Sequence, residues 1–415
     1  MKFDAYSIAP DLKRNLQLLG YKRPTDIQYR SIPPILNGED VLAIAQTGTG
    51  KTAAFAIPII DTLNRWKNRG GIEGVSCIVM VPTHELAIQI TDVFEGLAKG
   101  LPVKTYCIIG GVDQSPQVER IEKGVDVLVG TPGRLFDLVC KGVLQLKTVR
   151  ILVLDEADHM LDLGFIKDIQ DFTRFLPRKR QTLFFSATIN ERIKSLAYSL
   201  VSHPIRIHIS PNDPVSKNIT HSVAFIAMDD KRFFLERVIN ENPDCKILVF
   251  VRTKVRAERV MAALKRVGID SHTIHSGKEQ ADRKQLMEQF KRGEIKILVA
   301  TDVSARGLDI PNVDYVVNYD LPEQPENYVH RVGRTGRGVQ KGHAVSFCSP
   351  EEKELLSEIE GYLGKPITIL DISKKDYTET LDFTNDVDYD WKSLIKEHAR
   401  AEKERMEKKG KRKKK

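Results

Sequence analysis

The sequence predicts an α/β protein of two tandem domains, each built on a mostly parallel sheet. Three observations predict it. Short apolar runs alternate with helical patterns along most of the chain, the order that parallel strands with crossover helices require. Several of those runs end in small, hydroxyl, acidic or basic residues, which is how the carboxyl edge of an open sheet meets ligands. The 415 residues exceed what one core holds comfortably, and the alternation breaks where Pro204, Pro211 and Pro214 interleave with Asn212, Asp213 and Ser216. The expected boundaries are 1–208 for the first domain, 209–217 for the linker and 218–370 for the second domain. Residues 371–415 are expected to be an acidic then basic disordered tail.

Residues 1–36 hold two helical patterns around a loop at Gly20 and Pro24, with Thr25 or Asp26 placed to cap the second. Gln28 and Tyr21 flank this turn. A glutamine amide matches the paired edge of adenine and a tyrosine ring stacks on a base, but taken alone the pattern is more often a surface glutamine and a half-buried tyrosine. Val41-Leu42-Ala43-Ile44 is a buried strand, and Ala53–Ile57 begins a helix. Between them lies Ala45-Gln46-Thr47-Gly48-Thr49-Gly50-Lys51-Thr52, a phosphate-binding loop. Its glycines let backbone N–H groups turn around an anion, Lys51 supplies a mobile charge, and the Thr52 hydroxyl is suited to magnesium. The helix that follows aims its positive end at the same place.

Further strands are read at 76–81, 105–109, 125–129, 150–154 and 181–185. They run into Thr83, Gly110-Gly111, Thr131 with Arg134, Asp155-Glu156-Ala157-Asp158 and Ser186-Ala187-Thr188. Two carboxylates directly after a buried strand are costly unless cations meet them. Beside a phosphate loop the first acid holds magnesium and the second polarises water, while Asp158 reads equally as a helix cap. In the second half strands are read at 246–251, 270–274, 296–300 and 315–318. The turn taken as equivalent to the phosphate loop, Val251-Arg252-Thr253-Lys254-Val255, contains no glycine, so this domain is expected to hold no nucleotide of its own. Arg334 and Arg337, three apart and set among glycines, read either as fingers reaching the first domain's triphosphate or as a basic loop on nucleic-acid phosphates.

The hydrophobic content of 41% is ordinary for a soluble globular chain. No apolar run approaches the roughly 18 residues of a spanning helix, and the first residues lack a signal-peptide core, so no membrane association and a cytoplasmic location are expected. Five widely spaced cysteines argue against disulfides and structural zinc. The net charge of +8 is mostly a property of residues 396–415, which hold 11 Lys/Arg against 4 Glu. That segment reads either as an electrostatic tether for nucleic acid or as a solubilising tail.

Taken in order, several motifs resemble those of the DEAD-box RNA helicase family over about residues 3–350. They are Gln28, the 45–52 loop, Pro82-Thr83-His84-Glu85-Leu86-Ala87, Gly110-Gly111, Thr131-Pro132-Gly133-Arg134, Asp155–Asp158, Ser186–Thr188, Gln280-Ala281-Asp282-Arg283, Ala300-Thr301-Asp302 to Asp309, and His330 to Arg337. The short tail and absence of long insertions look most like the bacterial RhlE-type branch. The resemblance implies two RecA-like domains, with helices on both faces of each sheet, that close over ATP and single-stranded RNA. It places Tyr21 and Gln28 on adenine, Thr52 and Asp155 on Mg2+, and Asp309 near the ribose. Glu156 is implied as the base, Lys51, Arg334 and Arg337 as charge stabilisers, and Ser186 and Thr188 as the coupling to domain movement. Thr83, Gly111, Thr131, Arg134, Thr253, Arg283 and Thr301 are implied as RNA contacts, to backbone more than bases. The implied activity is local, ATP-driven separation of short RNA duplexes or remodelling of ribonucleoprotein, with ribosome assembly among the settings. An ATP-gated RNA clamp is the alternative. One departure stands out: His84 occupies a position where the family usually has arginine. Weaker RNA affinity, with a charge change near pH 6.5, is expected from it.

Overall fold

The computed structural model describes residues 2–46, 48–71, 74–111, 113–209, 215–216, 218–275, 277–302, 313–336 and 341–385. The first domain carries β1 (Val41–Ala45), β2 (Cys77–Met80), β3 (Thr105–Ile108), β4 (Val127–Gly130), β5 (Ile151–Leu154), β6 (Gln181–Ser186) and β7 (Ile205–Ile209). Every pairing is parallel, in the order β3-β4-β2-β5-β6-β1-β7. Two separate apolar cores cover the two faces of the sheet, one containing Phe55, Phe94 and Phe185, the other Leu152, Phe172 and Phe184. Interior parallel strands are buried on both faces, which is why they read as continuous apolar runs.

The second domain repeats the plan with β8 (Ile219–Phe225), β9 (Ile247–Val251), β10 (His272–Ile274), β11 (Ile297–Thr301), β12 (Tyr315–Asn318), β13 (Gly342–Cys348) and β14 (Thr368–Ile369). Its order, β10-β11-β9-β12-β13-β8-β14, matches the first domain strand for strand. Each sheet again has a core on either face. The expected fold of two tandem α/β domains is therefore present.

The order corrects one expectation. β9 occupies the place of β2, not of β1, so the turn at Val251–Val255 is the counterpart of the Thr83 turn. Thr83 and Thr253 share backbone angles (φ −131°, ψ 155°) and each caps a helix, accepting from Leu86 N and Arg256 N. The counterpart of the phosphate loop follows β8, at residues 226–230, and it too lacks glycine. In place of an anion it has a buried ion cluster. Lys231, the first residue of the helix Lys231–Glu241, is fully buried, donates to Tyr319 O at 2.8 Å and pairs with the Glu352 carboxylate.

Two boundaries also move. Ile209 pairs with Ala45 in the first sheet, so the segment outside both sheets begins after it. Beyond residue 370, expected to be tail, the chain forms the helix Lys374–Asn385. Tyr377 packs on Phe234 with the rings tilted, 4.9 Å between centroids, and donates to Asp230 Oδ2 at 2.8 Å, while Thr380 accepts from Arg237. Most of the expected linker and the basic segment 396–415 lie outside the described residues.

Candidate active site

The strand order sorts the site residues along one edge. β3, β4 and β2 end at Gly110-Gly111, Thr131 and Thr83, whereas β5, β6 and β1 end at Asp155, Ser186 and the phosphate loop. Residues interleaved in sequence are thus segregated into two neighbouring patches. The second sheet does the same, with Arg283, Thr301 and Thr253 after β10, β11 and β9.

In the phosphate patch, Gly48 and Gly50 take φ of +80° and +92°, a region that favours glycine. A Cβ at Gly48 meets nothing within 4 Å, leaving an open cradle, whereas one at Gly50 meets Gln28 Nε2 at 2.5 Å. Gln28 is buried: its Oε1 accepts from Thr25 N at 3.0 Å, closing a capping box, and its Nε2 donates to Gly50 O at 3.1 Å. The amide expected on adenine thus also holds the loop. Tyr21 is half-buried and meets Phe3 edge-on at 6.2 Å. Thr49 Oγ1 donates to Gln46 O at 2.7 Å, and Lys51 Nζ donates to Ala45 O at 2.8 Å. Thr52 is half-buried beside it.

Asp155 is buried and accepts from the N–H of Glu156 at 2.9 Å. Burial pushes its carboxyl up to about 6, Lys51 opposing and the Glu156 and Asp158 charges reinforcing the rise. A buried carboxylate of this kind, within electrostatic reach of Lys51 of the phosphate loop, fits a hard divalent cation. For Glu156 burial acts upward as well, but His159, Lys51 and Arg334 outweigh it and hold the carboxyl at about 2. Arg334 belongs to the second domain, so the two domains meet electrostatically at Glu156. Asp158 fastens the next turn: its Oδ2 accepts from Ala187 N, Thr188 N and Thr188 Oγ1 at 3.0 to 3.2 Å, while Ser186 Oγ donates to Thr188 O. Sequence reasoning left Asp158 as a possible cap. The last acid of Asp-Glu-Ala-Asp, placed before a Ser-Ala-Thr turn on the neighbouring strand, was the signal.

On the other patch, Arg134 is nearly buried and bonds Asp137 only through Nη1, at 3.4 Å; its Nε and Nη2 have no hydrogen-bond partner. Orphaned guanidinium donors suit a phosphate oxygen. Thr131 is buried, Gly111 exposed at φ +74°, Thr253 exposed and Thr301 buried. Arg283 pairs with Glu85 Oε1 at 2.7 Å, so this side chain, expected on RNA, also joins the two domains. Thr47, Asp309 and Arg337 lie outside the described residues.

The family described as DEAD/DEAH box helicase matches residues 25–196, and that described as helicase conserved C-terminal domain matches residues 230–339. "ATP-dependent RNA helicase DbpA" of Bacillus subtilis is 39% identical over 87% of this chain and 74% of its own. The chain belongs to the DEAD-box ATP-dependent RNA helicase family. "ATP-dependent rRNA helicase RRP3" of Debaryomyces hansenii is 36% identical to this helicase over 88% of the chain and 76% of its own. The solved structure of S. cerevisiae Dbp5 bound to RNA and ADP BeF3 superposes with a TM-score of 0.81 at 31% identity, covering 93% of this chain and 99% of that one. The family expectation stands, and the relatives do not single out the RhlE-type branch.

His84 differs from its expectation. Its Nε2 accepts from Gly110 N at 3.2 Å, so the ring supports the Gly110-Gly111 turn. Burial lowers its pKa below the ordinary 6.5, with Arg283 and Arg134 adding to the fall and Glu85 opposing it. The neutral ring is the resting form, and the expected charge change near 6.5 moves to lower pH. RNA affinity, read by anisotropy of a labelled single strand, is therefore expected to be flat from about pH 8 to about pH 7 on this residue's account. It should change only below 6.5, where protonation deprives Gly110 N–H of its acceptor. A midpoint above 6.5 that disappears in His84→Asn would contradict this.

Proposed function

We propose that this helicase separates short RNA duplexes locally, by closing its two domains over ATP and one strand and reopening after hydrolysis. The observation that carries this reading is the Glu85 to Arg283 ion pair across the domains on the RNA patch, with the Arg334 charge of the second domain bearing on Glu156 on the nucleotide patch. One closure serves both patches. Closure on RNA thus completes the charge set around the phosphates, which couples strand binding to turnover.

In this reading the phosphate-loop N–H groups and Lys51 bind the phosphates, and Tyr21 and Gln28 hold the base. Thr52 and Asp155 would hold Mg2+, which would supply charge neutralisation at the phosphates. Glu156 takes the proton of the attacking water, a role its ionised state supports. Arg334, with Arg337, stabilises developing charge, and Asp309 meets the ribose. Ser186 and Thr188, tied to Asp158, relay the change to the domain interface. Thr83, Gly111, Thr131, Arg134, Thr253, Arg283 and Thr301 hold the RNA backbone. Bases are left largely unread.

A cytoplasmic location fits the bacterial relative, and among the described residues no helix is long and apolar enough to cross a membrane. Ribosome assembly is the setting the rRNA helicase among the relatives suggests. The RhlE-type likeness rests only on the compact chain and its short basic tail. Unwinding of blunt and single-strand-tailed RNA duplexes under ATP tests the reading. Separation of short duplexes, faster with tails and lost as the duplex lengthens, is expected; tight ATP-dependent binding with no separation would favour a clamp.

A further inference from the structure

Against the catalytic turn lies a histidine that the chemistry above leaves unused. His159 is 3% exposed, and neither of its ring nitrogens has a hydrogen-bond partner. Its Nδ1 stands 3.6 Å from Glu156 Oε2, just beyond hydrogen-bond reach. An orphaned buried imidazole N–H is unfavourable, and an apolar ring would fill the space without that penalty. A packing role therefore does not account for histidine here.

Glu156 is itself unusual. It sits at φ 50°, ψ 49°, the left-handed region that residues with a side chain seldom adopt, and flanks the short helix Ala157–Asp162. His159 is three residues on, stacked over the same turn. The other groups that attract this carboxylate, Lys51 and Arg334, are the ones proposed to meet the phosphates. Arg334 also arrives only with the second domain. His159 is fixed to the same turn as Glu156 and stays beside it whether the domains are together or apart.

We propose that His159 is a positioning residue for hydrolysis: its ring N–H holds the Glu156 carboxylate in the orientation that meets the attacking water. The inference rests on Glu156 being the base. The 3.6 Å gap needs only a small side-chain rotation to become a hydrogen bond, and a misplaced base costs rate while leaving ligand affinity intact.

The test compares His159→Phe, which keeps bulk and removes the donor, with His159→Gln, which restores an N–H. RNA-stimulated kcat, the KM values for ATP and RNA, and Tm are read for each. His159→Phe is expected to lose about tenfold or more in kcat, with both KM values within about twofold. Its Tm should equal or exceed that of the wild type, because an orphaned polar group has gone. His159→Gln should recover most of the lost rate. Full-rate His159→Phe, or a His159→Gln as slow as His159→Phe, would overturn the proposal. If the phenyl ring unfolds the domain, the same comparison is read on His159→Leu. Glu156→Gln separates the two layers: retained turnover there removes the base itself, whereas an inactive Glu156→Gln beside a full-rate His159→Phe removes only the positioning role.

Discussion

Replacing Arg334 with alanine is expected to lower RNA-stimulated ATP turnover by about 10³-fold or more, with far smaller changes in ATP and RNA affinity. The size follows from how the turn is built. Arg331, which sequence alone does not distinguish from its neighbours, is buried and spent on anchoring: Nε and Nη2 hold both oxygens of Asp302, Nη1 donates to Asp320 O at 2.7 Å, and its guanidinium lies 5.1 Å from the Phe250 ring centroid. Thr335 Oγ1 donates to Val313 O at 2.6 Å. Gly336 takes φ +64°, where a Cβ would strike Ile219 Cγ1 at 2.4 Å. Arg334 is thus presented by a rigid turn, and a preorganised cation needs no reordering at the moment of reaction. A loss of less than about tenfold in kcat, at saturating ATP and RNA, would remove Arg334 from the charge-stabilising set.

The second large effect concerns stability. Lys231→Met is expected to destabilise the second domain by about 3–5 kcal/mol, read as a lowered urea midpoint by circular dichroism. Glu352 is 2% exposed and accepts from Lys231, Arg252 Nη2, Leu321 N and Ser349 N. Without the lysine, a buried carboxylate is left to a half-exposed arginine and two backbone donors. Burial already lowers the Lys231 pKa against the pull of Glu352 and Asp320, so the pair sits where charge is poorly solvated. Replacing both partners, Lys231→Met with Glu352→Met, should recover most of the loss, because no lone charge then remains. Equal destabilisation by the single and double variants would show that the cluster does not act as a pair.

That cluster also shows where the sequence stopped being readable. The strands that position the first site, β1, β2, β5 and β6, are nearly unbroken apolar runs because parallel strands are covered on both faces. β7, β8 and β13 carry Arg206, His208, His221, Ser222, His343 and Ser346, and gave no such signal. Missing β8 moved the counterpart of the phosphate loop to the wrong turn, although the conclusion that it lacks glycine was unaffected. The acidic count of residues 371–390 likewise concealed Tyr377 and Thr380, whose contacts fasten the final described helix.

Within the site, spacing identified the groups that bear charge but not what they touch. Glu85 and Arg283 are distant in sequence and meet only because the domains face each other. His84 looked like a weakened phosphate ligand until Gly110 N–H, at the end of β3 two strands away, took its Nε2. Local chemistry is written in the motifs; partnership across the cleft depends on topology.

In the proposed cycle the nucleotide site is completed by a domain closure that RNA drives. This coupling is read in the steady-state ATP hydrolysis rate without nucleic acid, with single-stranded RNA and with DNA of the same sequence. Strong stimulation by RNA, little by DNA, and loss of the RNA effect when Arg334 is alanine are expected. An equal rate with and without RNA, or equal stimulation by DNA, would contradict an RNA-driven closure.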